Sequence, residues 1–306
     1  MKSVGECILM WLKDYKRNSV KEATYDRLLV THKLFCHYPI SRVPPETLMP
    51  SDIQRFINAL VTDGYSMSTI KKQYNLLTAY IRYANTEGII QRPIYNNVQL
   101  PSQTNVRKKK RDVQAYNKME QIALTRVLKT KKRPAYAPAL FMLETGLRVG
   151  ETLALTWDDV DWDRQAIRVN KTLIRLTARN GVKVQDGAKS YTSNRMVPLS
   201  DSALSLLEGI VDSSPDLHGL IFPDADGKLF TYEGMRYQIQ RACEEAKVEY
   251  KGQHVFRHTF ATNCYKRGAD VKILSKLLGH ASVAITFNTY IHLYGDALEE
   301  MRSVIA

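Results

Sequence analysis

The sequence predicts a mainly α protein in two parts: an all-helical first part, and a mixed, mostly helical second part with a small antiparallel sheet. Three observations predict it. Apolar residues recur at intervals of three and four through the first hundred positions and again beyond position 112. That periodicity stops over residues 101–112. Three short runs rich in β-branched residues fall between positions 166 and 199.

In the first part, Ile8, Trp11, Leu12 and Tyr15 have the i, i+3, i+4, i+7 spacing of one helical face, and Tyr25, Leu28 and Leu29 continue with a second. Ser51 followed by Gln54 has capping-box spacing, with Ile53, Phe56, Ile57 and Leu60 as the face behind it. A fourth helix is expected from about Ser68, burying Ile70, Tyr74, Leu77 and Ile81 and carrying Lys71 and Lys72 on its other side. Past the break, residues 113–132 and 136–143 read as helices, the second running into TGLRVGETLAL. There Gly146 interrupts, Arg148 is presented, and the helix is expected to resume over 151–155. WDDVDWDRQ reads as a turn, and AIRVNKTLI, GVKVQ and RMVPL form the expected sheet, the last two joined by a loop containing Lys189. Ala203, Leu206, Leu207 and Ile210 mark the next helix, and residues 232–247 another. The stretch 254–290, HVFRHTFATNCYKRGADVKILSKLLGHASVAITFNTY, divides into three short helices. Phe256, Phe260 and Cys264 share a face there, which leaves Arg257 pointing away from the apolar stripe. Asp270 suits an N-cap, Val271, Leu274, Leu277 and Leu278 the following apolar face, and Gly279 its stop, so His280 sits just past a helix end.

At 306 residues the chain is long enough for two domains with cores of their own. A formal net charge of +13 and a pI near 9.5 point to a polyanionic partner, nucleic acid first and a negatively charged membrane as its rival. The sequence has no apolar run of spanning length and no signal-peptide pattern. Cys7, Cys36, Cys243 and Cys264 lack C-x-x-C spacing, which argues against a zinc site or a disulfide framework and for reduced cysteines in a cytoplasmic protein. Lys13, Lys16, Arg17, Lys71 and Lys72 read either as a phosphate-facing surface or as solvated helix faces. The linker PSQTNVRKKKRD concentrates Arg107, Lys108, Lys109, Lys110 and Arg111. It also reads as a localisation signal or a solvated link, but a linker between two DNA-touching domains must cross the phosphate backbone, and DNA contact is the favoured reading.

Singly, an arginine after a glycine turn reads as a surface ion pair, a loop lysine as solvated, and a histidine as a satisfied hydrogen-bonder. The ordered set differs: GLRVGE, a lysine in the sheet loop before RMVPL, H-x-x-R-H, LLGH, and a tyrosine ten residues later. With this set the sequence resembles the tyrosine recombinase (phage integrase) family over almost the whole chain. The match is closest over 145–155 and 254–292, and rests in the first hundred residues on helical pattern alone. The resemblance implies a SAM-like, all-helical core-binding domain at 1–100, a basic linker at 101–111, and a catalytic domain with a C-terminal tail helix at 112–306. It implies Arg148 and Arg257 as catalytic arginines, Lys189 as the β-hairpin lysine, His254 and His280 as the catalytic histidines, and Tyr290 as nucleophile. Phe256 departs from the family's usual leucine, and the chain leaves no room for an arm-binding domain, which fits a simple two-domain member or a truncated form.

These residue types suit attack on a phosphodiester. A tyrosine with an ordinary pKa of about 10 needs a base and a cationic field to act at neutral pH. Two guanidinium forks suit the non-bridging oxygens, and a lysine whose pKa falls among other cations can protonate the departing 5′ oxygen. Such a reaction calls for no metal and no nucleotide cofactor. The competing readings are a metal-dependent nuclease built on Asp158, Asp159, Asp161 and Asp163, whose bland reading is a solvated turn, and a non-catalytic DNA-binding protein. Tyr294 competes as nucleophile, but the family pattern ends in tyrosine, one residue, histidine, as at 290–292. Tyr294, Ala297, Leu298, Met301, Val304 and Ile305 form an apolar tail stripe that packs on its own domain or, as the resemblance implies, docks in trans on a neighbouring protomer. By resemblance the expected assembly is a C-shaped clamp on double-stranded DNA, four protomers on two duplexes, with accessory DNA-bending or directionality factors. The expected role is integration or excision of a mobile genetic element, with Xer-like chromosome or plasmid dimer resolution as the alternative.

Overall fold

The computed structural model describes residues 1–102, 106, 115–130, 133–176, 181–186, 194–212 and 219–290, the last three for their backbone alone. The chain divides into two compact units, Met1–Asp112 with Arg175–Gly181, and Val113–Ile174 with Val182–Ala306. Among the described residues no helix is long and apolar enough to cross a membrane.

The first unit holds α1 (Val4–Trp11), α2 (Glu22–Phe35), α3 (Pro50–Thr62) and α4 (Met67–Thr86). Ile8, Leu12, Ile53, Ile57, Leu60 and Leu77 are wholly buried in its core, where Phe35 meets Phe56 edge-on at 5.3 Å. Two helix starts differ from expectation. Pro50 takes the first position of α3, where its missing N–H costs nothing, and Asp52 rather than Gln54 accepts the backbone N–H at the cap, that of Met49. Ser66 caps α4 through the N–H of Thr69, so the helix starts at Met67, one residue before the expected start. The first apolar face also ends early. A π-helical turn at Leu12–Lys16, with Arg17 N–H bonded to Leu12 O, shifts the register, so Tyr15 is 51% exposed and stacks on Tyr83 at 4.7 Å. Lys16 Nζ lies 4.9 Å from the Trp11 ring centroid, a cation–π contact, while Lys13, Arg17, Lys71 and Lys72 are exposed.

The second unit begins with α5 (Lys118–Thr130), α6 (Tyr136–Thr145) and the single turn α7 (Val149–Thr152). Asn117 and Glu120 cap α5 reciprocally, which sets its start five residues later than the periodicity alone indicates. Strands β1 (Val160–Asp161), β2 (Ala166–Val169), β3 (Lys171–Leu176), β4 (Gly181–Asp186) and β5 (Arg195–Pro198) follow. They form two sheets instead of one: antiparallel β1-β2-β5, with Ile167 opposite both Val160 and Val197, and a β3-β4 pair. The run AIRVNKTLI is therefore broken at Asn170, and RMVP pairs with AIRV. Helices α8 (Asp201–Val211), α9 (Tyr232–Ala246), α10 (His254–Lys266), α11 (Val271–Leu278) and α12 (Val283–Tyr290) complete the unit. One core gathers α5, α6, α9 and α10 around Leu124, Met142, Ile239 and Phe256, and a second packs Phe141, Trp157 and Phe222 against Ile167 and Val197.

Gly146 is the hinge between α6 and α7. It ends α6 in the left-handed region at φ 67°, and a Cβ there would lie 2.3 Å from Phe260 Cδ1. Gly146→Ala should therefore cost about 2–4 kcal/mol, the left-handed backbone penalty plus overpacking. Gly268→Ala, at φ 84° with no described atom within 4 Å, should cost only about 1–2 kcal/mol. Urea denaturation of the two variants checks the difference, and equal costs would remove the steric part.

Candidate active site

The site is built around the ends of two helices. After α6 stops at Gly146, Leu147 is buried and Arg148 stands at the N-cap of α7 in extended conformation. The helix thus resumes at Val149, two residues earlier than expected, and lasts four residues. The reason is Glu151. Its carboxylate accepts the Arg148 backbone N–H at 2.9 Å and Arg148 Nη1 at 2.7 Å, closing the turn on itself. Gly150 lets this turn lie against β3 and α9, since a Cβ there would meet Tyr232 Oη at 2.3 Å and Leu173 O at 2.7 Å.

Arg257 stands three residues into α10. It is 7% exposed. Nη1 donates to Gly146 O at 3.0 Å and Nη2 to Leu278 O, so carbonyls left over at the ends of α6 and α11 draw the guanidinium inward. Arg148 Nη2 donates to the neighbouring carbonyl, Gly279 O, at 3.0 Å. α11 is capped as its sequence indicates, Asp270 accepting the Ile273 N–H and Gly279 closing it in the left-handed region. That closure puts His280 immediately beside the two arginines.

The surroundings fix the charge states. Burial alone would raise the Glu151 carboxyl, but the Arg195 hydrogen bonds and the charges of Arg195 and Arg148 outweigh it and hold the pKa down at about 2. Burial, then Arg257 and Arg148, lowers His280 to about 4, and its Nδ1 shares a 2.6 Å hydrogen bond with Thr286 Oγ1. Burial, Arg257 and Arg148 also lower His254, and burial with His254 and Arg257 lowers His258. Each of these shifts favours the neutral ring. If the Thr286 hydroxyl donates to Nδ1, the His280 proton sits on Nε2, the tautomer that can donate to an oxyanion.

The structure thus brings Arg148, His254, Arg257 and His280 into one electrostatic cluster. Tyr290 ends α12, one turn beyond Thr286. Lys189, the linker residues Arg107, Lys108, Lys109, Lys110 and Arg111, and the tail from Tyr294 lie outside the described residues. Two members went unread in the sequence, Glu151 and Arg195. Glu151 had a signal, an acid three residues after Arg148 in capping spacing. Arg195 opens RMVPL but has no local signal for its partners. In the aspartate-rich turn, Asp159 is buried, paired with Lys171 Nζ at 2.8 Å, and accepts the Thr156 N–H. Asp161 accepts the Arg164 N–H at 3.0 Å. Among the described residues no group of three or more His, Cys, Asp or Glu is placed to hold a metal ion.

Planar cation forks beside neutral imidazoles, at the foot of a helix that ends in tyrosine, make a site able to hold a tetrahedral oxyanion. The model of the phage integrase family matches residues 100–296, and the chain belongs to that family, the tyrosine-type site-specific recombinases. It is 26% identical over 314 residues to a tyrosine recombinase XerC-like protein of Caldanaerobacter subterraneus subsp. tengcongensis, covering 95% of this chain and 79% of that protein. It is 34% identical over 162 residues to transposase A from transposon Tn554 of Staphylococcus aureus, half of this chain and 42% of that protein. The chain therefore spans less than half the length of that second relative. The Tn1549 transposon integrase in complex with transposon right end DNA shares the fold, with a TM-score of 0.82 at 20% identity over 99% of this chain and 100% of that one.

Two pH windows follow for stability. The unfolded chain takes up the His280 proton near the ordinary 6.5, the folded one near 4, so stability falls as pH drops through that interval. The stability contributed by ionised Glu151 is present above about 4.5 and is lost as pH falls toward 2. In urea titrations from pH 7 to 4, His280→Gln should have a shallower decline than the unmodified protein, because glutamine takes up no proton. An unchanged slope would contradict the lowered histidine.

Proposed function

We propose that this recombinase cuts and rejoins DNA through a 3′-phosphotyrosyl bond on Tyr290, in the integration and excision of a mobile genetic element. The observation that carries the reading is the convergence of Arg148, Arg257 and His280 at the end of α11, with His280 bonded to the helix that ends in Tyr290. The Tyr290 oxygen attacks the scissile phosphorus, giving its proton to His254, whose lowered pKa leaves it an unprotonated acceptor. Arg148 and Arg257 meet the charge on the non-bridging oxygens, and His280 donates a further hydrogen bond. The phosphorus–O5′ bond breaks, and Lys189 protonates the departing oxygen. Attack by another 5′ hydroxyl reverses the step and releases Tyr290.

In this reading residues 1–100 grip the core site, 101–111 track the phosphate backbone through the basic run, and 112–306 hold the chemistry. Double-stranded DNA is bound by a homo-tetramer on two duplexes in the cytoplasm, the tail from Tyr294 docks in trans, and accessory bending or directionality factors set direction. The mobile-element role draws on the likeness to the Tn554 transposase. The XerC-like relative, matched over 95% of this chain, favours a second reading, chromosome or plasmid dimer resolution. The natural target separates them: paired element ends for the first, a single chromosomal site with a second recombinase for the second.

On a nicked suicide duplex in chelator-containing buffer, the protein should form a denaturation-resistant adduct that Tyr290→Phe abolishes. Arg148→Ala and Arg257→Ala should each slow adduct formation by about 10²–10³-fold. An adduct that persists in Tyr290→Phe would overturn the nucleophile assignment. Deleting the residues after Gly295 should leave DNA binding intact and abolish synapsis, read by gel shift. Undiminished tetramers on DNA would refute trans docking.

A further inference from the structure

Three arginines from three elements end on consecutive carbonyls at the close of α11. Arg195 Nε donates to Leu277 O at 2.6 Å, Arg257 Nη2 to Leu278 O, and Arg148 Nη2 to Gly279 O at 3.0 Å. Two of these arginines belong to the phosphate site proposed above, and the third has no place in it. Arg195 comes from β5 and is 7% exposed at its side chain. Its two remaining nitrogens both go to Glu151, Nη1 to Oε1 at 3.2 Å and Nη2 to Oε2 at 2.9 Å. Arg195 thus has the fork of a phosphate ligand, but the fork is already filled by a carboxylate.

Glu151 is the shared element. Its Oε1 accepts from both Arg195 and Arg148, and its Oε2 from Arg195 and the Arg148 backbone. Without Arg195 only the Arg148 backbone N–H opposes a carboxylate turning both oxygens to the Arg148 guanidinium. Nη2 would then leave Gly279 O, and the face offered to a phosphate would turn with it. We propose that Arg195 is a positioning residue for strand cleavage: by clamping Glu151 on one side and the end of α11 on the other, it fixes the Arg148 guanidinium and the start of the segment that carries His280. This rests on the phosphotyrosyl reading above. A displacement near 1 Å in such a site costs about 100-fold in rate.

The test is single-turnover adduct formation on the suicide duplex, with DNA affinity measured alongside, for the full chain and for Arg195→Gln, Arg195→Lys, Glu151→Gln and the Arg195→Gln/Glu151→Gln double variant. Arg195→Gln should cleave about 10–100-fold more slowly with DNA affinity unchanged within about twofold. Arg195→Lys keeps the charge without the fork and should remain at least about tenfold slow. The double variant should be slowed by less than the product of the single effects, because Arg195 acts in part through Glu151. Cleavage at the unmodified rate by Arg195→Gln or Arg195→Lys would overturn the proposal. So would a double variant slowed by the product of the single effects, or a loss of rate matched by an equal loss of DNA affinity. Where Arg195→Gln does not fold, Arg195→Lys carries the comparison against the same outcomes. Failure of the underlying reading looks different: the unmodified protein forms no adduct, or the adduct survives Tyr290→Phe.

Discussion

The buried carboxylate of Glu151 is the contact on which the rest of the catalytic unit depends. It is 5% exposed, and a carboxylate taken from water without partners costs several kcal/mol. Two guanidinium forks and a backbone N–H offset that cost, and in doing so they join α7, β5 and the end of α11. The compensation goes past neutrality. Arg148 and Arg195 bring two positive charges to one carboxylate, Arg257 adds a third on the neighbouring carbonyls, and the negative end of a helix dipole offers only about half a charge more. The surplus is one that a phosphodiester, with a single negative charge, can complete.

Burial first, and this surplus after it, sets the histidines. Out of water and next to arginines a further cation is unfavourable, so the pKa values of His254, His258 and His280 are all lowered. An arriving phosphate removes part of that surplus, and by linkage the binding that satisfies the arginines raises the affinity of the rings for protons. In the proposed reaction, acid–base competence and phosphate recognition are therefore one electrostatic property of the cluster. A ring lowered by neighbouring cations accepts a proton more readily once an anion joins them.

How much of this was legible in the sequence follows from how local each signal is. The cap at Asp270 and the stop at Gly279 are written within three or four residues, and they formed as their sequence indicates. The mainly helical class followed from periodicity, and so did the pairing of Arg148 with a glycine turn. The break at Asn170, which sends AIRV and KTLI to different sheets, depends on which strand arrives opposite and has no local mark. The burial of Arg257 likewise has no local mark. A face argument counts apolar neighbours on one helix, whereas this side chain is drawn in by carbonyls from α6 and α11. Glu151 and Arg195, 44 residues apart, become a pair only in three dimensions.

The elements of the site are held unequally, and the inequality has a chemical sense. Each arginine is anchored by two or more hydrogen bonds to buried carbonyls or a carboxylate. The helix ending in Tyr290 is eight residues long, and over Val283–Phe287 its only buried side chain is Thr286. A helix that short has little stability of its own and takes its order from what it packs on. The field of cations is thus built in advance, while Tyr290 ends an element fixed to that field through Thr286 and His280. In the proposed reaction, holding the charges rigid and the tyrosine lightly suits a group that attacks in one step and leaves in the next.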